Sequence, residues 1–370
     1  MDVLGQFPSS LLAYWQNQLL GTFVAPGSTF SVFALALTFA AAVVFTVGKR
    51  NVAFKAVLRA IFPRRLWQSR SGRNDMAWFA LSVGGISLAF GGAMLAMPTV
   101  SGWTVSALTT AFGPAHAMVA PSWLVVPLVT LSLFLAYEFA YWLDHWAMHR
   151  FGWTWAFHQV HHSAESLSLL TIARVHPVET IGFYNLVALI MGTMGGVLSF
   201  TLGPAASPGT LFGTNVLTMV SAVLIGHLQH SHLWVTFGPR WGRWILGPAH
   251  HQLHHSVAVE HHDRNFGNIL TLFDRLFGTF TMPEPTRQPI KFGIEAPHFD
   301  PQSLHGMTIR PFIEFARALP FVRPACDEAG YARKGTAPRA GLLRRDQPGG
   351  LHARDHEGGL APRPRIARVP

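Results

Sequence analysis

Histidines are the residues of this sequence whose number and spacing point to chemistry. The chain has 20 histidines in 370 residues, and fifteen of them lie between His145 and His262. Residues at i, i+3 and i+4 share one face of a helix, so a group with that spacing directs its imidazoles the same way. That arrangement is what metal ligation from a helix requires. The three groups are His145 with His149, then His158 with His161 and His162, then His251 with His254 and His255.

Three such groups favour a metal site over ordinary buried histidines. A single histidine is more often a core or interfacial residue than a ligand, but eight imidazoles buried together without metal would leave many polar atoms unmatched. Eight or more imidazoles exceed the four ligands of a closed zinc site and suit two adjacent metals. The single cysteine, Cys326, excludes a disulfide framework and a four-cysteine iron–sulfur cluster. Imidazole and carboxylate are therefore the expected ligands.

Composition indicates that membrane helices position these groups. The chain is 49% hydrophobic and only 12% charged, whereas soluble domains are about 25% charged. Windows of about 20 mainly apolar residues mark candidate spans. We therefore expect an all-α membrane protein with about five transmembrane helices. The candidate spans are Ser28–Val47, Ala77–Met97, Ser122–Tyr141, Thr180–Phe200 and Gly209–Leu228.

The positions of lysine and arginine predict the orientation in the membrane. Eight of these residues lie between the first and second spans, Arg150 and Arg174 lie between the third and fourth, and eighteen follow the fifth. Basic residues favour the cytoplasmic side, which places the N-terminus outside. All three histidine groups then meet in a cytoplasmic helical cap that holds the dimetal site. A basic face against anionic lipid explains the net charge of +10, so no nucleic-acid partner is expected.

The chain divides into four expected regions. Residues 1–121 hold the first spans and a basic cytoplasmic loop, and residues 122–282 hold the later spans with the histidine groups. Residues 283–322 form a soluble segment. Residues 323–370 are rich in proline and arginine and too poor in apolar residues to bury a core, so we expect this tail to be disordered.

Six strings between Glu138 and Thr279 carry a resemblance to a known family. Together they resemble the fatty acid hydroxylase/sterol desaturase superfamily of integral-membrane di-iron enzymes. One HxxHH string is a weak signal, but three histidine groups in this order with these flanking residues are specific. Trp146 departs from the arginine that many members have after the first histidine. The strings are Glu138–His145 with His149, Trp155–Ser163, Arg174–Glu179, Ala249–Ser256, Asp263–Gly267 and Phe273–Thr279.

The resemblance implies two irons held by histidines, and O₂ as co-substrate. It also implies a ligand from the segment before the last group, where His230 fits best and His227 and His232 compete with it. His176 and His250 are weaker candidates. The ligands implied by position are His145, His149, His158, His161, His162, His251, His254 and His255, together with His230.

Carboxylates close to these groups are candidates for orienting the ligand N–H groups. Glu138 precedes His145 by seven residues and therefore shares its helix face. An intramembrane carboxylate usually has a function, so Glu138 is expected to support the site. The other candidates for this role are Asp144, Asp263, Glu179 and Asp274.

The sequence predicts an O₂-dependent membrane di-iron oxygenase that hydroxylates a C–H bond of a lipid: a fatty acyl, ornithine, ether or sterol-like lipid. Alternatives are a desaturase with the same site, a zinc hydrolase, or a membrane metal- or haem-binding transport or electron-transfer protein. No HExxH motif is present, which disfavours the hydrolase. Histidine groups at the membrane edge rather than at its centre disfavour a transporter.

The chain is expected to depend on a separate electron donor. It has no cytochrome b5-like haem motif and only one cysteine, so a reductase, ferredoxin or cytochrome should supply electrons. A composition rich in alanine, arginine, glycine and proline is typical of a high-GC bacterial genome. We therefore expect a bacterial inner-membrane protein.

Overall fold

The fold is mainly helical in the part of the chain that the structure describes. The computed structural model describes residues 13, 15–17, 19–25, 28, 30–47, 54–83, 93–114, 121–203, 206–296 and 298–319. The predicted disordered tail, residues 323–370, lies outside these residues. Within the described residues the strands are the short antiparallel hairpin of β1 (Thr210–Leu211) and β2 (Thr214–Asn215).

Connections between the helices range from a single residue, as at Ser69 and Phe151, to the long segment of residues 278–303. Single 3-10 turns occur at Thr171–Ala173 and Val259–His261, and a π-helical turn occurs at Ala222–Gly226. In chain order the helices are α1 (Val32–Val47), α2 (Phe54–Ile61), α3 (Arg64–Gln68), α4 (Arg70–Leu81), α5 (Met97–Phe112), α6 (Ser122–Arg150), α7 (Gly152–His162), α8 (Pro177–Leu202), α9 (Val216–Ser221), α10 (His227–Gln229), α11 (Gly238–Trp241), α12 (Pro248–His254), α13 (Leu272–Phe277), α14 (Leu304–Thr308) and α15 (Arg310–Ala318).

Among the described residues, two helices are long and apolar enough to cross a membrane. Helix α6 has 29 residues and α8 has 26, and the most apolar 18-residue windows have mean hydropathies of 1.8 and 1.7. At about 1.5 Å per residue, both exceed a hydrocarbon core of about 30 Å. They coincide with the third and fourth predicted spans. Helix α6 also continues about nine residues beyond the predicted span, and that extension carries His145 and His149.

The other predicted spans differ from the structure or lie partly outside the described residues. The first forms α1, of only 16 residues. Residues 84–92 of the second are not described. The fifth begins as the β1–β2 hairpin, and only Val216–Gln229 is helical. The helix starts at Val216 because the Asn215 side chain accepts hydrogen bonds from the backbone N–H groups of Leu217 and Thr218.

Helix α5 was not predicted, and it packs closely against α8. A Cβ atom on Gly192 would lie 2.6 Å from the Cβ of Val100, and one on Gly196 would lie 2.5 Å from the Cβ of Thr104. Two glycines four residues apart therefore let the two backbones approach, as small residues do where membrane helices pack. This contact fixes α8, whose first turn lies at the histidine groups.

The short helix α7 is fastened to the end of α6. Phe151 is extended between the two helices, and the Thr154 hydroxyl donates a hydrogen bond to the carbonyl oxygen of Ala147 at 2.7 Å. The chain therefore turns at once, and the second histidine group folds back onto the first. Helix α12 brings the third group to the same place, beside α10.

Candidate metal centre

Nine histidines converge in two adjoining groups. In each group every residue offers one ring nitrogen, and these nitrogens all lie within 4.8 Å of one another. The groups touch, since the ring centroids of His162 and His255 are 4.4 Å apart. These nine are the eight histidines named by position together with His230. Site A consists of His145, His149, His158, His162 and His254, and site B consists of His161, His230, His251 and His255.

Helix geometry divides the second and third groups between the two sites. In α7, His158 and His162 are four residues apart and both belong to site A, whereas His161 belongs to site B. At the end of α12, His251 and His255 are four residues apart and share site B, whereas His254 belongs to site A. A four-residue step turns a helix by only about 40°, so such pairs point the same way.

Three histidines of site A are oriented by hydrogen bonds at Nδ1. The Nδ1 of His145 lies 2.9 Å from the carbonyl oxygen of Phe266, and that of His158 lies 2.7 Å from a Glu179 carboxylate oxygen. The Nδ1 of His254 lies 2.8 Å from the carbonyl oxygen of Arg264. Each acceptor requires a protonated Nδ1, which leaves Nε2 with its lone pair free for a metal.

The Nε2 atoms converge in a way that fits metal ions. In site B, the Nε2 of His230 lies 3.0 Å from that of His161 and 2.8 Å from that of His251. In site A, the Nε2 of His162 lies 3.1 Å from the Nε2 atoms of both His149 and His254. At most one proton can lie between the Nε2 atoms of two neutral imidazoles. A cluster of such contacts therefore leaves nitrogen lone pairs that face each other. A bound cation satisfies that arrangement.

Burial keeps the clustered imidazoles neutral. Loss of water contact lowers the pKa of His230 and of His254 to about 3. The same burial, reinforced by neighbouring histidines, lowers the pKa values of His161, His162 and His255 well below the ordinary value. Because only the neutral ring can ligate, these side chains are ready for a metal at neutral pH without first losing a proton.

The loop of residues 263–267 presents two of these backbone acceptors. Asp263 and Asn265 both have a φ of 57°, a left-handed conformation that Asn and Asp adopt more readily than most residues. Gly267 is required, since a Cβ there would lie 2.5 Å from the carbonyl oxygen of Leu270. This bend aims the carbonyl oxygens of Arg264 and Phe266 at site A.

Asp274 holds that loop and Glu138 holds the residues that follow it, 268–270; among the described residues, no hydrogen bond joins either carboxylate to a histidine. The Glu138 carboxylate accepts hydrogen bonds from the Asn268 side chain at 2.8 Å and from the backbone N–H of Leu270 at 2.7 Å. Asp274 accepts from the backbone N–H groups of Phe266 and Gly267, each at 2.8 Å. Burial raises the pKa of Asp274, and these hydrogen bonds oppose the rise. Residues 266–270 therefore connect Glu138 with His145.

The other candidate carboxylates differ in their contact with histidines. Glu179, in the first turn of α8, contacts His158 directly. Asp263 is 65% exposed, and its carboxylate lies 3.7 Å from the Nδ1 of His149. Asp144 is buried, but among the described residues no hydrogen bond links it to any of the nine histidines. Glu179 thus makes the closest carboxylate contact.

The four weaker histidine candidates lie outside both sites. His176 caps α8 by accepting a hydrogen bond from the backbone N–H of Val178. His227 lies 2.8 Å from the Thr38 hydroxyl, between α10 and α1. His250 accepts a hydrogen bond from the backbone N–H of Gly247. Neither they nor His232 join a group of nitrogens within the described residues.

A buried arginine beneath α7 was not predicted to have a role. Arg174 is fully buried, and its guanidinium lies 3.1 Å from the Asp75 carboxylate. It also donates hydrogen bonds to the Ser163 hydroxyl at 2.9 Å and to the Gln302 side chain at 2.8 Å. It thus ties the end of α7 to α4 and to the C-terminal segment. The sequence marks Arg174 by its isolation, because it is the only lysine or arginine between Phe151 and Pro239.

Comparisons with known proteins agree with the family strings. Residues 130–279, which contain all nine histidines, match the fatty acid hydroxylase family model. The ornithine lipid hydroxylase OlsE of Rhizobium tropici is 28% identical over 239 residues, which are 63% of this chain and 65% of that protein. The predicted resemblance is confirmed. No solved structure matches the chain.

Alkylglycerol monooxygenases are also similar. The Danio rerio protein is 29% identical over 168 residues, which are 44% of this chain and 32% of that protein. The Caenorhabditis elegans protein is 25% identical over 153 residues, which are 41% of this chain and 27% of that protein. The chain therefore spans less than two thirds of each of these relatives.

Proposed function

We propose that this chain, which carries a fatty acid hydroxylase domain, is an integral-membrane di-iron oxygenase that uses O₂ to hydroxylate a C–H bond of a lipid. The observation that carries the proposal is the convergence of nine histidines in two adjoining sites at the end of a helix long enough to span a bilayer. Such a position is within reach of a lipid chain. The domain would extend over residues 122–282.

Sites A and B would each hold one iron. A C–H bond of a lipid chain offers no acidic proton, so general acid–base chemistry alone cannot cleave it; iron, when bound, supplies the activation of O₂. Hydroxylation places one oxygen atom of O₂ in the C–H bond and reduces the other to water, with two electrons and two protons. The two electrons would come from a separate reductase, ferredoxin or cytochrome.

The chain's own residues would orient the ligands and keep water out. Glu179 and the carbonyl oxygen of Phe266 hold the rings of His158 and His145 with Nε2 facing the centre of site A. Glu138 holds the residues that follow the loop of the Phe266 carbonyl. The burial of all four site B histidines excludes solvent from that half of the centre. An enclosed site protects a strong oxidant from side reactions.

The protein would lie in a bacterial inner membrane with its N-terminus outside and both sites on the cytoplasmic face. The clustering of arginine and lysine outside the predicted spans supports this orientation. For the substrate we favour a membrane lipid related to ornithine lipids or ether lipids, because the similar proteins are named for ornithine lipid and alkylglycerol.

Iron content and product mass together test the proposal. The full chain, purified in bilayer discs with a reductant, should hold two irons and convert its lipid into a product heavier by one oxygen atom. His161→Ala should lose iron and product, whereas His305→Ala, at an exposed position outside both sites, should lose neither. A product lighter by two hydrogen atoms would indicate a desaturase. Iron-loaded protein that consumes no O₂ with any candidate lipid would contradict the proposal.

A further inference from the structure

An exposed face beside α6 combines large apolar side chains with arginines. It is formed by residues 238–246 and 271–278, and we name it the arginine–aromatic face. Its apolar members are well exposed: Trp241 by 62%, Trp244 by 54%, Leu276 by 66% and Phe277 by 57%. The two segments form one surface, because the guanidinium of Arg275 stacks 4.2 Å above the ring of Trp244.

The charge of this face is entirely positive. Arg240, Arg243 and Arg275 are exposed, and none of them forms an ion pair with another described residue. The only acidic residue in the two segments is Asp274, which is fully buried and accepts hydrogen bonds from backbone N–H groups. The three guanidinium groups are therefore available to an anionic partner.

Contacts with α6 determine how deep the arginine–aromatic face would lie in a bilayer. The ring of Phe273 lies 5.2 Å from that of Phe139, and the ring of Phe277 stacks on Trp142 at 4.4 Å. Phe139 and Trp142 lie where the predicted third span, Ser122–Tyr141, ends. The arginine–aromatic face is thus level with the point at which α6 leaves the apolar part of a bilayer.

We propose that the arginine–aromatic face contacts an anionic lipid leaflet, with Arg240, Arg243 and Arg275 binding the phosphate groups of lipid headgroups. Tryptophan and phenylalanine rings enter the bilayer interface favourably, and guanidinium groups match phosphate geometry. The inference rests on the membrane insertion in the proposed function. Four exposed apolar side chains next to a membrane-spanning helix favour lipid over an acidic protein as the partner.

This contact with the leaflet would also stabilise the orientation of His145 in site A. The backbone N–H groups of Phe266 and Gly267 are held by Asp274, which directly precedes Arg275. The carbonyl oxygen of Phe266 in turn accepts the hydrogen bond from His145. Arg275 is therefore connected to His145 through Asp274 and Phe266, and the leaflet would hold the loop that orients this histidine.

Site-specific fluorescent probes test the position of the face. Cys326→Ser removes the only cysteine, and a bimane label is then attached to Leu276→Cys, to Leu189→Cys on the exposed side of α8, or to Glu260→Cys. The full chain is reconstituted in equimolar phosphatidylcholine and phosphatidylglycerol. The labels at Leu276 and Leu189 should be quenched by nitroxide lipids and not by iodide, and the label at Glu260 should show the reverse.

Arginine variants test the anionic preference. At equal mole fraction, nitroxide-labelled phosphatidylglycerol should quench the Leu276 label about fivefold or more strongly than nitroxide-labelled phosphatidylcholine, since one arginine near an anionic surface contributes about fivefold. Replacing Arg240, Arg243 and Arg275 with Gln should abolish the preference. The matched control replaces Arg70, Arg310 and Arg317, which already pair with carboxylates, and should retain it.

Each contrary result has its own meaning. If iodide quenches the Leu276 label while lipid quenches the Leu189 label, the face lies in water and suits a protein partner, so this inference is wrong and the proposed function stands. If lipid fails to quench the Leu189 label, membrane insertion fails and the proposed function fails with it. Equal quenching by both lipids would overturn the anionic part of the inference.

Discussion

Sites A and B are built from the same side chain but are supported differently. In site A, three of five histidines have Nδ1 within hydrogen-bond distance of a protein oxygen. In site B, the buried Nδ1 atoms of His230, His251 and His255 have no hydrogen-bond partner among the described residues. Site A is closed less completely, since the His149 side chain is 9% exposed and lies beside the exposed Asp263, whereas all of site B is buried.

The fold therefore positions the two sites by different means. Hydrogen bonds to Nδ1 fix the tautomer and ring orientation of a ligand before metal binds. Site A is therefore preorganised, whereas site B depends on packing and on the metal itself. We expect a chelator to remove iron from site B first.

Loss of a ligand should have the largest effect. His255→Ala in site B and His145→Ala in site A should each lower product formation by more than about 100-fold, since changing even the partners of metal ligands costs about 10–100-fold. His255→Ala should lose one iron and leave site A occupied, which iron analysis would show. Retention of both irons in His255→Ala would show that His255 is not needed to hold an iron in site B.

Breaking the buried ion pair beneath α7 should weaken both sites together. Asp75→Ala leaves the fully buried Arg174 unpaired, and such a loss costs about 3–5 kcal/mol. Denaturant unfolding should report the change. Asp300→Ala is the control, because it breaks the exposed ion pair with Arg70 and should change stability little. Equal effects of the two substitutions would show that Arg174 does not support α7.

Acid should destabilise the metal-free protein. The pKa values of His230 and His254 are lowered from 6.5 to about 3, so the unfolded chain takes up protons before the folded one. Stability should thus fall as pH drops from 6.5 towards 3, by about 1.4 kcal/mol per pH unit for each histidine. The number of protons taken up on thermal unfolding in this pH range should be lower by one in His254→Gln than in the unaltered protein. A flat profile would mean that these rings are not buried and neutral.

Removing the carboxylate partner of His158 should affect site A alone. Glu179→Gln keeps the shape but loses the charge of the group 2.7 Å from Nδ1, and iron affinity at site A should fall about tenfold. Competition with a chelator should show the loss at one site only. A comparable loss at site B would mean that the two sites are not supported independently.

The exposed neighbour of His149 should have the smallest effect. Asp263 is 65% exposed and lies 3.7 Å from the ring, so water screens its charge. Asp263→Asn also keeps a side chain that tolerates the φ of 57°. Iron affinity and turnover should change by about twofold or less. A tenfold loss would make Asp263 a partner of site A comparable to Glu179.

Eight of the nine clustered histidines stand out in the sequence by their spacing and order, whereas His230 is indicated only by the family resemblance. The division of the nine between two sites could not be predicted, since i+3 and i+4 neighbours share a helix face and only packing separates His161 from His158. The choice of His230 over His227 depends on where α10 meets α1, a contact distant in sequence. Glu138 lies seven residues before His145 in α6, but its partners, the Asn268 side chain and two backbone N–H groups, lie about 130 residues away in the sequence.

The fold was predictable where a helix is continuous and apolar. Helices α6 and α8 follow from composition alone. Helix α5 contains several serines and threonines, and its packing depends on Gly192 and Gly196 of α8, so its own sequence is a weak signal. The predicted fifth span begins too early, because the turn at Phe212 and Gly213, with φ of 53° and 81°, interrupts an otherwise apolar run and the helix starts only at Val216.

Mössbauer spectroscopy of the full chain, loaded with the Mössbauer-active isotope of iron, tests directly whether the chain holds a pair of irons. We expect two irons per chain, in two distinguishable histidine environments that correspond to sites A and B. His255→Ala should lose one of the two signals and keep the other. A single iron signal at one iron per chain in the unaltered protein, at saturating iron, would contradict the account.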